Sequence, residues 1–157
     1  MAKDINIVNT IQIQRSTEDV FNYVTTPLYW PEWHPTPHGV SGATDHSLKT
    51  GEQVLEHVRF GFLTGNIRWI VRKSIYPTLW IFDGIVEGVP LLGGTRATIT
   101  YTLSSKDGGT FFKRELIYKT QGLLADLFDF LFFKAHNIKQ SQVAVDQLKI
   151  VMEKKSR

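Results

Sequence analysis

The side chains with the clearest capacity for chemistry lie on predicted strands. His57 is the one histidine of five in the middle of such a strand, and an imidazole is well suited to exchange a proton near neutral pH. Tyr101, Tyr118 and Arg114 lie on two later strands, and their polar groups can hold an enolate oxygen. Together these residues would form a general acid–base site. The alternative for His57 is an exposed histidine without a catalytic role.

Strand alternation predicts which side chains share an interior, because successive residues of a strand point to opposite faces. Residues 66–75, 95–104 and 110–120 alternate well, whereas residues 79–86 are apolar on both faces and residues 52–60 are ambiguous. A bulge would reverse any of these assignments. The predicted lining consists of Trp69, Ile81, Asp83, Ile99, Tyr101, Arg114, Leu116 and Tyr118.

Asp83 and Arg114 are the charged members of this set. A buried, unpaired charge costs several kcal/mol, so each needs a partner, water or a ligand. If the two pair inside, they form a polar spot that orients a ligand carboxylate or carbonyl, since a guanidinium offers a fixed fork of donors. The alternative places both at strand ends in solvent.

Several classes of site are excluded or disfavoured by composition and spacing. The sequence has no cysteine, and it lacks a phosphate-binding glycine loop and a Gly-x-Ser-x-Gly elbow. His34 and His38 are separated by prolines and accompanied by no acidic pair, so we expect no metal site and no cofactor. A net charge of +3 from 18 basic and 15 acidic residues is too small and too dispersed for nucleic-acid binding.

The pattern of elements predicts an α+β fold. A first strand leads to a short helix that begins after Ser16, and a Pro31-Glu32-Trp33 turn follows. No crossover helices separate the later strands, which favours an antiparallel sheet. The seven predicted strands cover residues 5–14, 40–44, 52–60, 66–75, 79–86, 95–104 and 110–120.

A long C-terminal helix is predicted from residue 123 to about 154. Leu124, Leu127, Phe128 and Leu131 should face the interior from its apolar first half. Phe130, Phe132 and Phe133 would then point elsewhere, and two alternatives stay open for them. They pack on the loop after Val86, or they form an exposed patch for a protein partner or a transient contact with a membrane surface.

A curved sheet around one helix leaves space between them, because a helix is only about 10–12 Å across. Aromatic side chains either fill this space or line an open cavity, the usual form of a small-molecule site. Trp30 and Trp33 lie three residues apart on the short turn. They either plug one end of the sheet or contact a ligand at the cavity rim.

Residues 11–35, IQIQRSTEDVFNYVTTPLYWPEWHP, resemble the opening of the START-like helix-grip superfamily (SRPBCC). The GGTR segment before the alternating threonine strand and the terminal helix resemble it too, and the likeness spans nearly the whole chain. It is closest to polyketide cyclase/dehydrase-like and lipid-transport-like members. The resemblance implies a curved antiparallel sheet wrapped around the C-terminal helix, two short helices after strand one, and a cavity between sheet and helix.

We therefore expect one ligand-binding domain, residues 1–157, that takes a hydrophobic small molecule of the lipid, polyketide or aromatic type. The alternative is a polyketide cyclase/dehydrase-like enzyme that uses His57 with tyrosine and arginine groups. The start of the chain lacks the apolar stretch of a secretory signal, and the lack of cysteine fits a reducing cytosol, so we expect a cytoplasmic protein. Monomer and homodimer both remain open.

Overall fold

The computed structural model describes residues 4–35 and 37–155, which form one seven-stranded antiparallel sheet with its helices. The spatial order of the strands is β1-β7-β6-β5-β4-β3-β2. The predicted α+β helix-grip architecture is confirmed. The strands are β1 (Ile5–Ile13), β2 (Pro37–Gly42), β3 (Gln53–Phe60), β4 (Leu63–Ile75), β5 (Leu79–Glu87), β6 (Arg96–Lys106) and β7 (Gly109–Lys119). The α-helices are α1 (Thr17–Val24), α2 (Trp30–Trp33), α3 (Leu123–Phe128) and α4 (Lys134–Lys154).

Two short helices follow β1 as predicted, and a turn of 3-10 helix at Pro27–Tyr29 joins them. The Ser16 hydroxyl accepts a hydrogen bond from the Asp19 amide at 3.1 Å, which satisfies one free N–H of the first turn of α1. The Trp30 indole donates to the Val24 carbonyl at 2.9 Å. This bond attaches α2 to the end of α1 and fixes the indole against the sheet.

The C-terminal helix differs from the prediction in which face it buries. A π-helical turn at Asp129–Phe133 separates α3 from α4. Because a π turn adds a residue to the helical ladder, it rotates the side chains around it. The buried positions are Ala125, Asp129 and Phe133 rather than Leu124, Leu127, Phe128 and Leu131.

The inward face of β5 is also the opposite of the predicted one. Its buried side chains are those of Trp80, Phe82 and Val86, so Ile81 and Asp83 lie on the other face of the sheet. The prediction failed here because β5 is apolar on both faces, and alternation therefore carries no information.

Gly84 completes the inward face of β5 and is paired with Trp69 of β4. A Cβ atom at this position would lie 2.5 Å from the Trp69 ring. Glycine is therefore required for the indole to lie flat against the neighbouring strand. The Trp69 ring is held in this way at the centre of the concave face.

Candidate ligand-binding site

A cavity lies between the concave face of the sheet and the C-terminal helix. The cavity has a volume of about 70 Å³. Its wall is mainly apolar and aromatic, as in small-molecule sites generally. The apolar lining residues are Trp30, Phe60, Ile67, Trp69, Phe82, Val86, Ala97, Ile99, Leu116 and Phe133.

Aromatic rings fill the interior next to this cavity. The rings of Trp80 and Phe82 have centroids 4.4 Å apart, and Tyr101 lies 5.6 Å from Trp80 and 5.2 Å from Phe112. The Trp80 indole donates to the Leu48 carbonyl at 3.0 Å. The interior is thus partly filled by its own side chains and partly open.

Arg114 is the central polar group of the cavity, and its side chain is almost completely buried. One terminal nitrogen donates to the Ser141 hydroxyl of α4 at 3.1 Å, and the other donates to Nε2 of His34 at 3.2 Å. Burial raises the pKa of the Tyr101 phenol, and the charge of the nearby guanidinium opposes this increase. The buried Nε atom has no hydrogen-bond partner.

The partners of Arg114 are neutral groups, and it forms no ion pair with a carboxylate in residues 4–35 or 37–155. Because an arginine N–H can only donate, His34 Nε2 must carry a lone pair. Burial, and then the charge of Arg114, lowers the pKa of His34 to about 3. The imidazole is therefore neutral at physiological pH, and no carboxylate within these ranges is directly bonded to the buried guanidinium of Arg114.

Glu56 of β3 is the acidic group of the cavity. Its carboxylate is buried, and Oε1 accepts a hydrogen bond from the Trp69 indole at 3.1 Å. Burial raises the pKa of Glu56 to about 7, against the smaller opposing effects of Trp69, Arg114 and His57. A carboxyl group of this kind exists in both protonation states near neutral pH, which is the property required of a general acid or base.

Tyr118 forms a second polar contact at the helical side of the cavity. Its hydroxyl donates to the buried Asp129 carboxylate of the π turn at 2.5 Å. The Phe133 ring packs edge-on against both Tyr118 and Phe60, with centroids 5.4 and 5.0 Å away. These contacts attach the π turn to the sheet, so the turn closes this side of the cavity.

The structure brings seven of the sequence-predicted site residues to this cavity: Trp30, Trp69, Ile99, Tyr101, Arg114, Leu116 and Tyr118. Trp33 is fully buried beside Tyr101, with ring centroids 6.2 Å apart, but it does not line the cavity. Phe128 is half-buried against the core outside the lining, and Leu124 and Leu131 are exposed.

Three predicted site residues lie on the outer face of the sheet: His57, Ile81 and Asp83. His57 Nδ1 is 2.6 Å from the amide oxygen of Asn66, on the face opposite Glu56. Asp83 accepts from the Thr98 hydroxyl at 2.6 Å and lies 3.6 Å from Arg72. The predicted Asp83–Arg114 pair therefore does not form, and His57 is separated from Tyr101, Tyr118 and Arg114 by the sheet.

Sequence reasoning missed Glu56, His34 and Ser141 as polar groups of the site. Glu56 carries a usable signal, because it alternates with Val54 and Val58, and a carboxylate on an otherwise apolar strand face marks a special position. His34 and Ser141 carry no comparable signal. Both reach Arg114 through contacts between distant parts of the chain.

An exposed apolar patch begins at α3. We define the patch by its six members, all more than half exposed: Leu123, Leu124, Leu127, Phe130, Leu131 and Phe132. Large exposed apolar surfaces are uncommon on soluble domains and mark interaction sites. The three phenylalanines of this segment do not behave alike. Phe133 is buried in the cavity wall, whereas the rings of Phe130 and Phe132 are exposed.

Residues 4–35 and 37–155 contain no cluster of three or more His, Asp or Glu side chains arranged to hold a metal ion. The side chain of His38 lies outside the described residues. No helix within these ranges combines the length and the apolar character needed to cross a membrane.

The chain belongs to the family described as polyketide cyclase / dehydrase and lipid transport, which matches residues 4–153. No functionally curated protein matches the sequence. A conserved protein from Geobacillus kaustophilus has a similar structure, with a TM-score of 0.76, 13% identity and coverage of 96% of both chains.

Two other solved structures share this fold. The di-domain ARO/CYC protein StfQ of the steffimycin biosynthetic pathway has a TM-score of 0.72 at 11% identity, and the match covers 98% of this chain and 52% of that one. The Aha1 dimer from Colwellia psychrerythraea has a TM-score of 0.65 at 22% identity, over 95% of this chain and 96% of that one. At these identities the likeness shows the fold alone.

The burial of Glu56 predicts a pH-dependent contribution to stability. A carboxyl whose pKa is higher in the folded state than in the unfolded chain stabilises the fold at low pH, and this contribution is lost as pH rises through about 7. Between pH 5 and 8 the free energy of unfolding should fall by about 2–3 kcal/mol more in the natural protein than in Glu56→Gln, since one pKa unit corresponds to about 1.4 kcal/mol.

Urea denaturation of both proteins at the two pH values measures this difference. The comparison with Glu56→Gln is needed because the lowered pKa of His34 acts in the opposite direction, raising stability as pH rises between about 3 and 6.5. The glutamine amide oxygen can still accept from Trp69, so the variant keeps that contact. Parallel pH profiles for the two proteins would contradict the assignment.

Proposed function

We propose that this protein, as a single domain, binds a hydrophobic small molecule of the lipid, polyketide or aromatic type in the cavity between sheet and C-terminal helix. One observation carries the proposal: an apolar cavity contains a buried guanidinium whose hydrogen-bond partners are all neutral. A ligand carbonyl, enolate or carboxylate at Arg114 would supply the missing acceptor. Trp30, Trp69, Ile99, Tyr101, Leu116 and Tyr118 would contact the ligand.

The free space sets a limit on this ligand. Drug-sized molecules occupy pockets of roughly 300–1,000 Å³, whereas the volume of this cavity is about 70 Å³. A larger ligand therefore requires movement of its wall. We propose that Phe133 is the wall residue that moves, because it lines the cavity from the irregular π turn.

Filling the cavity should prevent uptake. Ala97 lines the cavity, so Ala97→Phe would place a ring in the open space. We expect octanol to change the fluorescence of the natural protein, since Trp30 and Trp69 line the cavity, and to bind Ala97→Phe at least tenfold more weakly. Ala135→Phe is the matched control, because Ala135 is exposed on α4. Equal affinity in all three folded proteins, checked by circular dichroism, would contradict the proposal.

The second candidate function is a polyketide cyclase/dehydrase-like enzyme. The buried carboxylate of Glu56 in the cavity lining favours it. His57 was the sequence-predicted catalytic group, but it lies outside the cavity, and Glu56 takes its place in the proposal. Its carboxylate would remove a proton from the carbon next to a ketone. Arg114 and Tyr101 would hold the enolate oxygen that forms.

Proton exchange distinguishes the enzyme from the binding protein. We expect the enzyme to exchange the α-hydrogens of 2-octanone with deuterium from D₂O, followed by mass spectrometry. Glu56→Gln should slow this exchange at least 100-fold, the usual contribution of a general base, while 2-octanone still binds. If exchange with the protein is no faster than in buffer, the enzyme hypothesis is contradicted and the non-catalytic binding protein is favoured. If Glu56→Gln exchanges as fast as the natural protein, Glu56 is not the base.

We further propose a cytoplasmic location, which the absence of cysteine supports, and transient contact of the exposed apolar patch with an anionic membrane surface. Lys119 and Lys134 flank the patch in sequence, and both are exposed. Two acidic residues lie between the patch members in sequence: the Asp126 carboxylate accepts from the Thr120 hydroxyl, and Asp129 is buried. Cationic flanks around apolar side chains suit an anionic bilayer.

Vesicle co-sedimentation tests this contact. We expect binding to phosphatidylglycerol vesicles that exceeds binding to phosphatidylcholine vesicles, and a loss of at least tenfold in the double variant Leu124→Ser and Phe130→Ser, because each side chain would contribute apolar burial. Ile150→Ser is the control, since Ile150 is an exposed residue near the other end of α4. A concentration-dependent dimer that the double variant abolishes would instead assign the patch to a second copy of the chain.

A further inference from the structure

We propose that the ligand is an amphipathic carboxylate whose head group binds Arg114, and that its binding is accompanied by protonation of the Glu56 carboxylate. This inference rests on the proposed function and specifies the chemical class of its ligand. It also assigns the natural role of Glu56 to charge compensation rather than to catalysis.

The first observation is the unfilled donor capacity of Arg114. Its two terminal nitrogens bind Ser141 and His34, while the buried Nε atom is without a partner. A guanidinium binds a carboxylate with two parallel hydrogen bonds, and such charge-assisted bonds are about twice as strong as those between neutral groups. A neutral ligand group would satisfy Nε but would give the guanidinium no directly bonded negative charge.

The second observation is that Glu56 lines the same cavity without forming an ion pair with Arg114. Instead, one of its oxygens accepts from Trp69. A ligand carboxylate at Arg114 would bring a second negative charge into the cavity. Like charges in a shared, desolvated site cannot both remain ionised at low cost, so one of the two takes up a proton.

Glu56 is the group that can take up this proton. The other titratable groups that line the cavity are His34 after α2, Tyr101 on β6 and Tyr118 on β7. Asp129 and His136 lie behind the lining on the helical side, in contact with Tyr118 and Phe60 respectively. His34 and His136 have lowered pKa values and Tyr101 and Tyr118 have raised ones, in each case mainly through burial. These four are neutral near pH 7, and Asp129 already accepts from Tyr118.

The step balances in charge and protons. Before binding, the cavity contains the Arg114 cation and the Glu56 carboxylate. Afterwards it contains the cation, the ligand carboxylate and a neutral Glu56 carboxylic acid, whose added proton comes from solvent. Since this proton must be taken from solution, affinity should fall as pH rises above the pKa of Glu56 in the empty cavity.

Isothermal titration calorimetry with octanoate, octanol and octylamine tests the inference. At pH 8 we expect octanoate to bind at least tenfold more tightly than octanol, and octylamine to bind most weakly. Titrations in phosphate and Tris buffers, whose ionisation enthalpies differ, should show uptake of about one proton per octanoate and none per octanol. The octanoate dissociation constant should rise up to tenfold per pH unit between pH 7.5 and 9.

Two variants separate the parts of the inference. Glu56→Gln should keep the preference for octanoate and lose the proton uptake, whereas Arg114→Gln should lose the preference. If Arg114→Gln does not fold, the proton count in the natural protein remains a sufficient test. Equal affinity for octanoate and octanol, or octanoate binding without proton uptake, would overturn the inference. Failure of all three compounds to bind would instead contradict the proposed function itself.

Discussion

The buried positive charge of Arg114 is the constraint on which the site depends. It is held by neutral groups from two separate parts of the fold, namely Ser141 on the helix and His34 after the short helices. Desolvating a charge that has no directly bonded counter-charge costs several kcal/mol. A fold selected for stability alone has no reason to retain it, whereas a protein that binds an acceptor group inside its core does.

The aromatic residues determine where open space remains in the interior. Trp80 and Phe112 fill one part of the interior, so the remaining space lies against Arg114 and Glu56 rather than being spread along the sheet. Trp69 connects the two regions, since its ring lies on Gly84 and its N–H donates to Glu56. The cavity therefore combines an apolar wall with one polar end, and that arrangement gives a ligand a fixed orientation.

Much of the fold follows from the sequence, because alternation, turns and helix starts are local signals. The alternating strands predicted the positions of Tyr101 and Arg114 correctly. The inward face of β5 could not be predicted, since both faces are apolar, and the buried face of the C-terminal helix was missed because a π turn leaves no periodic pattern. The neighbours of Arg114 come from distant parts of the chain, so no local pattern reveals them. Glu56, between two inward valines, was the one missed residue with a readable signal.

We propose that the space beside Arg114 binds a ligand. Native mass spectrometry of gently purified protein tests this most directly, because a molecule retained through purification appears as a discrete added mass. We expect a bound species, released on denaturation, that carries an acidic or carbonyl oxygen on a largely apolar skeleton. If only the mass of the bare chain is detected, both before and after incubation with octanoate and with a lipid extract, the proposal is wrong.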